Sequence, residues 1–144
     1  MNKVWTRILG ATAALAVSSL LIAQQIEKTP APDGAQLYIV SPQNGDVVPP
    51  TFPVIFGLKG MGVAPAGTQV GNTGHHHLLV DGAALPDLNA PLGTAVTHFG
   101  AGQTETTLTL PPGQHTLQLI LGDHLHIPHN PPVVSEQITV TVRE

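Results

Sequence analysis

Glu105-Thr106-Thr107-Leu108-Thr109-Leu110-Pro111-Pro112-Gly113-Gln114-His115-Thr116-Leu117-Gln118-Leu119-Ile120-Leu121 is the stretch that decides the fold. Thr106, Leu108 and Leu110 alternate with polar neighbours, and His115, Leu117, Leu119 and Leu121 fall on one face of a second run. A period of two is the mark of a strand with one face buried. Pro111-Pro112-Gly113 between the two runs is turn chemistry. The spacing predicts two antiparallel strands closed as a hairpin.

The same pattern extends outward in both directions. Gln36 to Ser41 reads as a strand, ended by Pro42-Gln43-Asn44-Gly45-Asp46. Phe52, Val54, Phe56 and Leu58 alternate along a second strand from Phe52 to Lys59. His75 to Val80 is a third, turned by Asp81-Gly82, and Thr94 to Phe99 is a short fourth. Val134 to Val142 closes the series with Ile138, Val140 and Val142 inward. Fourteen prolines and fifteen glycines are spread along the chain, and no helical period follows the N-terminal segment. About seven short strands and no helix predict an all-β, immunoglobulin-like antiparallel β-sandwich over residues 37–143, with a small barrel as the alternative.

Residues 1–23 do not fit that pattern. Lys3 and Arg7 precede an apolar run from Ile8 to Ile22, and small Ala23 stands before polar Gln24-Gln25. That is the layout of a secretory signal peptide. The run is shorter than the roughly twenty residues of a membrane span. Residues 24–36 are polar and carry Pro30, Pro32 and Gly34, and are read as a flexible leader. The expected protein is exported, periplasmic or secreted, with no membrane attachment once the signal is cleaved. It has no cysteine, so disulfides, thiolate metal sites and a cysteine nucleophile are all excluded.

Beyond residue 23 three lysines and arginines face nine acids, a net of −6 with histidine neutral. Nothing in that balance attracts nucleic acid or an anionic membrane. The unusual load is imidazole: His75, His76, His77, His98, His115, His124, His126 and His129. Protonating all eight would carry the charge to +2, which suggests a pH-responsive domain.

If strand direction alternates along the chain, His75–His77, His98, His124, His126 and His129 converge on one end of the sandwich. His115, at the start of its strand, is left near the other. Within the third strand His75 and His77 share one face, expected to look outward, while His76 shares the core face with Leu78 and Val80. A His-x-His pair with a third imidazole is a usable metal site. The predicted ligands are His75, His77, His98, His126 and His129. His76 is expected to orient a ligand from the core side, and Asp123 to support the site as a neighbouring carboxylate or to cap its turn. An imidazole donor set in an oxidising compartment suits Cu(II) first and Zn(II) second. No organic cofactor is implied.

No nucleophile-elbow sequence surrounds Ser41 or Ser135, and no phosphate loop precedes a helix. A metal-activated water is the one catalytic device these residues could build, and the domain is read as non-enzymatic. The rival reading is a cell-envelope interaction module that docks protein or glycan, with the histidines serving as a structural hydrogen-bond network. Phe99, beside His98, is its candidate sugar platform.

Four motifs in order complete the reading: Asn72-Thr73-Gly74-His75-His76-His77-Leu78-Leu79-Val80-Asp81; His98-Phe99-Gly100-Ala101-Gly102-Gln103-Thr104-Glu105-Thr106; Pro111-Pro112-Gly113-Gln114-His115-Thr116-Leu117-Gln118-Leu119; and Gly122-Asp123 with His126, Pro128-His129 and Pro131-Pro132. Over residues 37 to 142 they resemble the bacterial exported domain of unknown function 4399. The resemblance implies a small secreted or periplasmic domain and no particular activity. It also implies that His75, His76, His77, His98, His115, His126 and His129 occupy the family's histidine positions, and that His124 is extra.

Overall fold

The structure, a computed structural model, describes residues 26–144. The segment expected to be a signal peptide lies outside them. Among the described residues there are nine strands and no helix. They are β1 (Gln36–Ser41), β2 (Val47–Val48), β3 (Thr51–Lys59), β4 (Gly62–Val63), β5 (Thr73–Val80), β6 (Thr97–His98), β7 (Glu105–Thr109), β8 (Gly113–Gly122) and β9 (Ile138–Val142). One sheet has the order β1-β3-β7. The other runs β2-β9-β8-β5-β4, with β6 also paired to β5. The fold is an all-β sandwich.

The core lies where the inward faces of the two sheets meet. Phe52, Val54 and Phe56 of β3 pack toward Leu78 of β5, Leu117, Leu119 and Leu121 of β8, and Val140 and Val142 of β9. These are the residues that the period-two pattern marks as buried. Six of the seven expected strands keep a substantial length. The stretch Thr94 to Phe99 shrinks to the two residues of β6, and the last strand begins at Ile138, with Val134 forming an isolated bridge to Ile120.

The expected hairpin does not form. β7 pairs with β3, from Thr51↔Thr109 to Ile55↔Glu105, while β8 pairs with β5 and β9. The turn at Pro111-Pro112 therefore carries the chain from one sheet to the other. Alternation states that each strand buries one face. It does not distinguish strands lying side by side from strands facing each other across a core. Leu110 still donates to Pro50 O at 2.9 Å, extending the β3 pairing. The two prolines that follow have no N–H to continue a ladder.

The leader is likewise part of the domain from residue 28 onward. Asn130 N donates to Thr29 O and Ala31 N donates to Asn130 O, each at 3.0 Å, and Ala31 and Ala35 pack against the core. A proline-rich composition reads as linker, yet these main-chain groups find partners in a distant loop.

One consequence of the topology matters for function. β5 is buried on both faces. The second face is covered by the connection between β5 and β6, whose Leu92 and Val96, with Leu88 beside them, pack on Leu79 and Ile120. His75 and His77 are buried there as well. They stand on the outer face of the sheet, and that face is roofed.

Leu119 is fully buried between the sheets. Leu119→Ala is expected to cost about 2–5 kcal/mol in urea unfolding through lost transfer energy and the cavity left behind. Val47→Ala, at an exposed position, should stay within about 0.5 kcal/mol of wild type.

Candidate metal centre

β5 presents His75 and His77 on its outer face, two residues apart, with ring centroids drawn together to 4.6 Å. The neighbouring strands supply what surrounds them. On one side β8 places Gly122 opposite His75. A Cβ on Gly122 would come 2.6 Å from His77 Cε1, so the absent side chain is the space that the His77 ring occupies. On the other side β6 pairs His98 with His77. The His98 ring folds over Gly100, where a Cβ would meet it at 2.2 Å. Beyond Gly122 a loop brings in the fourth imidazole. His126 has φ 67°, a left-handed conformation that few non-glycine residues adopt. Asp123 holds it there: its Oδ1 accepts the amides of Leu125 at 2.9 Å and Ile127 at 3.0 Å, on either side of His126.

His75, His77, His98 and His126 each offer a ring nitrogen, and these four atoms lie within 4.8 Å of one another. The ring centroids are 4.6–5.8 Å apart over all six pairs. One hydrogen bond links the group, His126 Nε2 to His98 Nε2 at 3.1 Å. Both nitrogens of His75 and both of His77 are buried and have no hydrogen-bond partner among the described residues.

The electrostatics keep the inner rings neutral. Burial, then the neighbouring His126 and His98, pushes His75 down to about 4, against an opposing pull from Asp123. Burial, followed by His75, His98 and His126, pushes His77 down to about 3. His98 is lowered too, by burial and by His126. Neutral imidazole offers a lone pair, so these three rings are ready to coordinate at neutral pH without first losing a proton. With no cysteine in the chain, the donor set is all nitrogen, and the cluster can hold a metal ion.

His129 is not brought into this group. It is buried, its Nε2 donates to Thr73 O at 3.1 Å, and its ring lies against Gly74. His76 points to the core face: Nδ1 donates to Gln103 O at 3.1 Å, and the ring packs on Phe56 with centroids 5.1 Å apart. It bonds none of the four rings, but its carbonyl accepts Phe99 N, which fixes the residue beside His98. Asp123 caps its loop instead of facing the cluster as a ligand. Phe99 is buried against Phe56, which removes it as an exposed sugar platform. His124 lies in the loop, its carbonyl accepting Gly67 N. The residues missed in the sequence are Gly122 and Gly100. Their signal was positional: His98-Phe99-Gly100 and Gly122-Asp123 each set a glycine beside a histidine or its loop.

Residues 54–143 match a protein family described as Domain of unknown function (DUF4399). The chain belongs to this family. The matched region contains all four clustered histidines. No curated protein matches the chain. Among solved structures, a chain from "Structures of Clostridium thermocellum CbhA fibronectin(III)-like modules" is similar at 11% identity and a TM-score of 0.35, over 74% of this chain and 93% of that one.

At the opposite end of β5 the DUF4399 domain carries a histidine ion pair. His115 Nδ1 donates to Asp81 Oδ2 and Nε2 to Pro111 O, both at 2.8 Å. Both ring nitrogens face acceptors, so the doubly protonated ring is favoured. The Asp81 bond, then Pro111, raises the His115 pKa above its ordinary 6.5. Burial pushes Asp81 up, but His115 and the Thr116 amide outweigh it and hold the carboxyl below 3.8. The whole-molecule charge reversal, by contrast, is not reached near pH 6, because His75, His76, His77 and His98 are all shifted down.

The sign of the pair's pH dependence follows. His115 contributes fully below 6.5 and loses its contribution as pH rises through its raised folded value. Asp81 contributes fully above 3.8 and loses its contribution as pH falls through its depressed one. The melting-temperature gap between wild type and His115→Gln should therefore be widest near about pH 5 and narrow toward about pH 8. A gap of constant width across that range would show that the pair does not titrate as its geometry requires.

Proposed function

We propose that this domain binds one divalent transition-metal ion through His75, His77, His98 and His126, and holds or delivers it outside the cytoplasm. The observation that carries the reading is the set of four buried, unpartnered nitrogens on His75 and His77 at the centre of a four-imidazole cluster. A structural hydrogen-bond network would bond those atoms to something. A shared cation satisfies one on each ring and leaves the site compact.

The shape of the cluster bears on which ion. For metal–nitrogen bonds of about 2.1 Å, four imidazole centroids stand about 5.3 Å apart in a tetrahedron, and about 4.6 and 6.5 Å apart in a square. The observed separations run from 4.6 to 5.8 Å, and none approaches the long diagonal of a square. This favours a tetrahedral ion such as Zn(II) over tetragonal Cu(II), the reverse of the order suggested by donor type alone. Four protein ligands also fill a tetrahedral shell. No position is left for an activated water, as a hydrolytic site needs, so we read the domain as a binding protein and not an enzyme. The exported character rests on the composition of residues 1–23.

Calorimetric titration with Zn(II) and Cu(II) tests the reading. One-to-one binding that His75→Ala/His77→Ala loses is expected, with Zn(II) at 100 times its dissociation constant raising stability by about 2.7 kcal/mol. Affinity no tighter than about 10 µM for either ion, or affinity unchanged in the double variant, would end the metal reading. In Co(II)-loaded protein, the strong visible absorption of a tetrahedral centre is expected, and weak tetragonal bands would overturn the assigned geometry.

A separate prediction concerns the metal-free protein. His77→Leu replaces two unpartnered buried nitrogens by apolar atoms, so it should melt no lower than metal-free wild type while abolishing the Zn(II)-dependent rise. Substantial destabilisation of the metal-free form would mean that His77 has polar partners in solution.

A further inference from the structure

The segment ahead of β1 touches both loops that enclose the four histidines. Lys28 Nζ donates to Leu88 O at 2.8 Å and lies 3.4 Å from Asn89 Oδ1, in the connection that roofs β5. Thr29 Oγ1 donates to Asp123 Oδ2 at 2.7 Å. Thr29 and Ala31 bracket Asn130 through main-chain bonds at the far end of the His126 loop. The two loops are themselves joined at the ligand, since Leu92 N donates to His126 O at 2.8 Å.

Asp123 is the link between segment and site. It is 2% exposed, and its two carboxylate oxygens are divided. Oδ1 takes the amides on either side of His126, and Oδ2 takes the Thr29 hydroxyl. His126 alone among the four candidate ligands lies on no strand. Its left-handed backbone is held by this carboxylate and not by a sheet. Without the hydroxyl, Oδ2 would be a buried charged oxygen lacking its donor, and a buried carboxylate in that position draws water or shifts. Thr29 also lies outside the residues that match the family.

We propose that Lys28–Ala31 is a strap that positions His126 through Asp123 and so governs how long the site retains its metal, an inference that rests on the metal reading above. Thr29 is a positioning residue and touches no ligand ring.

The test uses residues 24–144, loaded with Zn(II) and mixed with excess chromogenic chelator. Wild type, Thr29→Val, Thr29→Ser and Lys28→Ala are compared for release rate. Amide hydrogen exchange at Leu125 and Ile127 is measured on the metal-free forms. Thr29→Val should release Zn(II) about tenfold faster, the scale of a lost partner behind a ligand. Thr29→Ser, which keeps the hydroxyl, should release it at close to the wild-type rate. Lys28→Ala should act in the same direction as Thr29→Val more weakly, and it serves where Thr29→Val folds poorly. Exchange at Leu125 and Ile127 should quicken in Thr29→Val while that at Leu119, in the core, does not. Equal release from Thr29→Val and wild type, or equal acceleration in Thr29→Ser and Thr29→Val, overturns the strap and leaves the metal site standing. A wild type that binds no Zn(II) overturns the site and the claim on retention, and the metal-free exchange still decides whether Thr29 holds the His126 loop.

Discussion

A strand buried on both faces cannot hydrate its side chains, and β5 carries three consecutive histidines into that position. Most of what is distinctive about the domain follows from this constraint. A neutral imidazole has one N–H to donate and one lone pair to fill. His76 satisfies its N–H against Gln103 O. His75 and His77 satisfy neither atom among the described residues. Each such group costs about 1–3 kcal/mol when left unmade, and a whole domain is stable by about 5–15 kcal/mol. Rings placed there for packing alone would be an expensive way to fill space that leucine fills without penalty. The His98 and His126 rings that close over them, with centroids 4.9–5.8 Å away, leave both side chains buried from water.

The surroundings of the cluster are organised to admit rings, not merely to tolerate them. Gly122 and Gly100 leave the volumes taken by His77 and His98, although neither glycine has a positive φ to justify it. His126 has the reverse arrangement: a left-handed backbone at a residue with a side chain. Backbone conformations of that kind cost of order 1–3 kcal/mol and persist where the surroundings over-determine them. Here the over-determination is visible as the Asp123 carboxylate, the His126 N to Asp123 O bond and the Leu92 bond to the His126 carbonyl. Burial pushes the Asp123 carboxyl up, yet the Thr29 hydroxyl and the two amides hold it below its ordinary range. It therefore stays ionised and keeps accepting.

The convergence of the histidines was legible because strand polarity is legible. A residue at the beginning of β5 and a residue at the end of β8 must meet when the strands are antiparallel neighbours, whatever the route between them. His115 was placed at the far end by the same reasoning, and it is found there with Asp81. The loop could not be read in that way. His126 and His129 are three residues apart, and nothing in their spacing states which one turns toward β5. The left-handed turn at His126 decides it, and that turn depends on Asp123 being anchored by a residue 94 positions away. The hairpin failed for a related reason: alternation reports burial of a face, while partner choice depends on the opposing sheet.

Imidazole count and compartment argued for Cu(II), because donor type sets the affinity order across the divalent series. Shape supplies the second criterion, and it comes from the backbone. β5 fixes two rings on one line, β6 adds a third beside His77, and the loop brings the fourth over Gly122 from outside the sheet. His75 and His77 are fixed by the ladder that pairs β5 with β8. His126 is held by the Asp123 carboxylate and the Leu92 bond, so coordination geometry and loop anchorage are two aspects of one constraint.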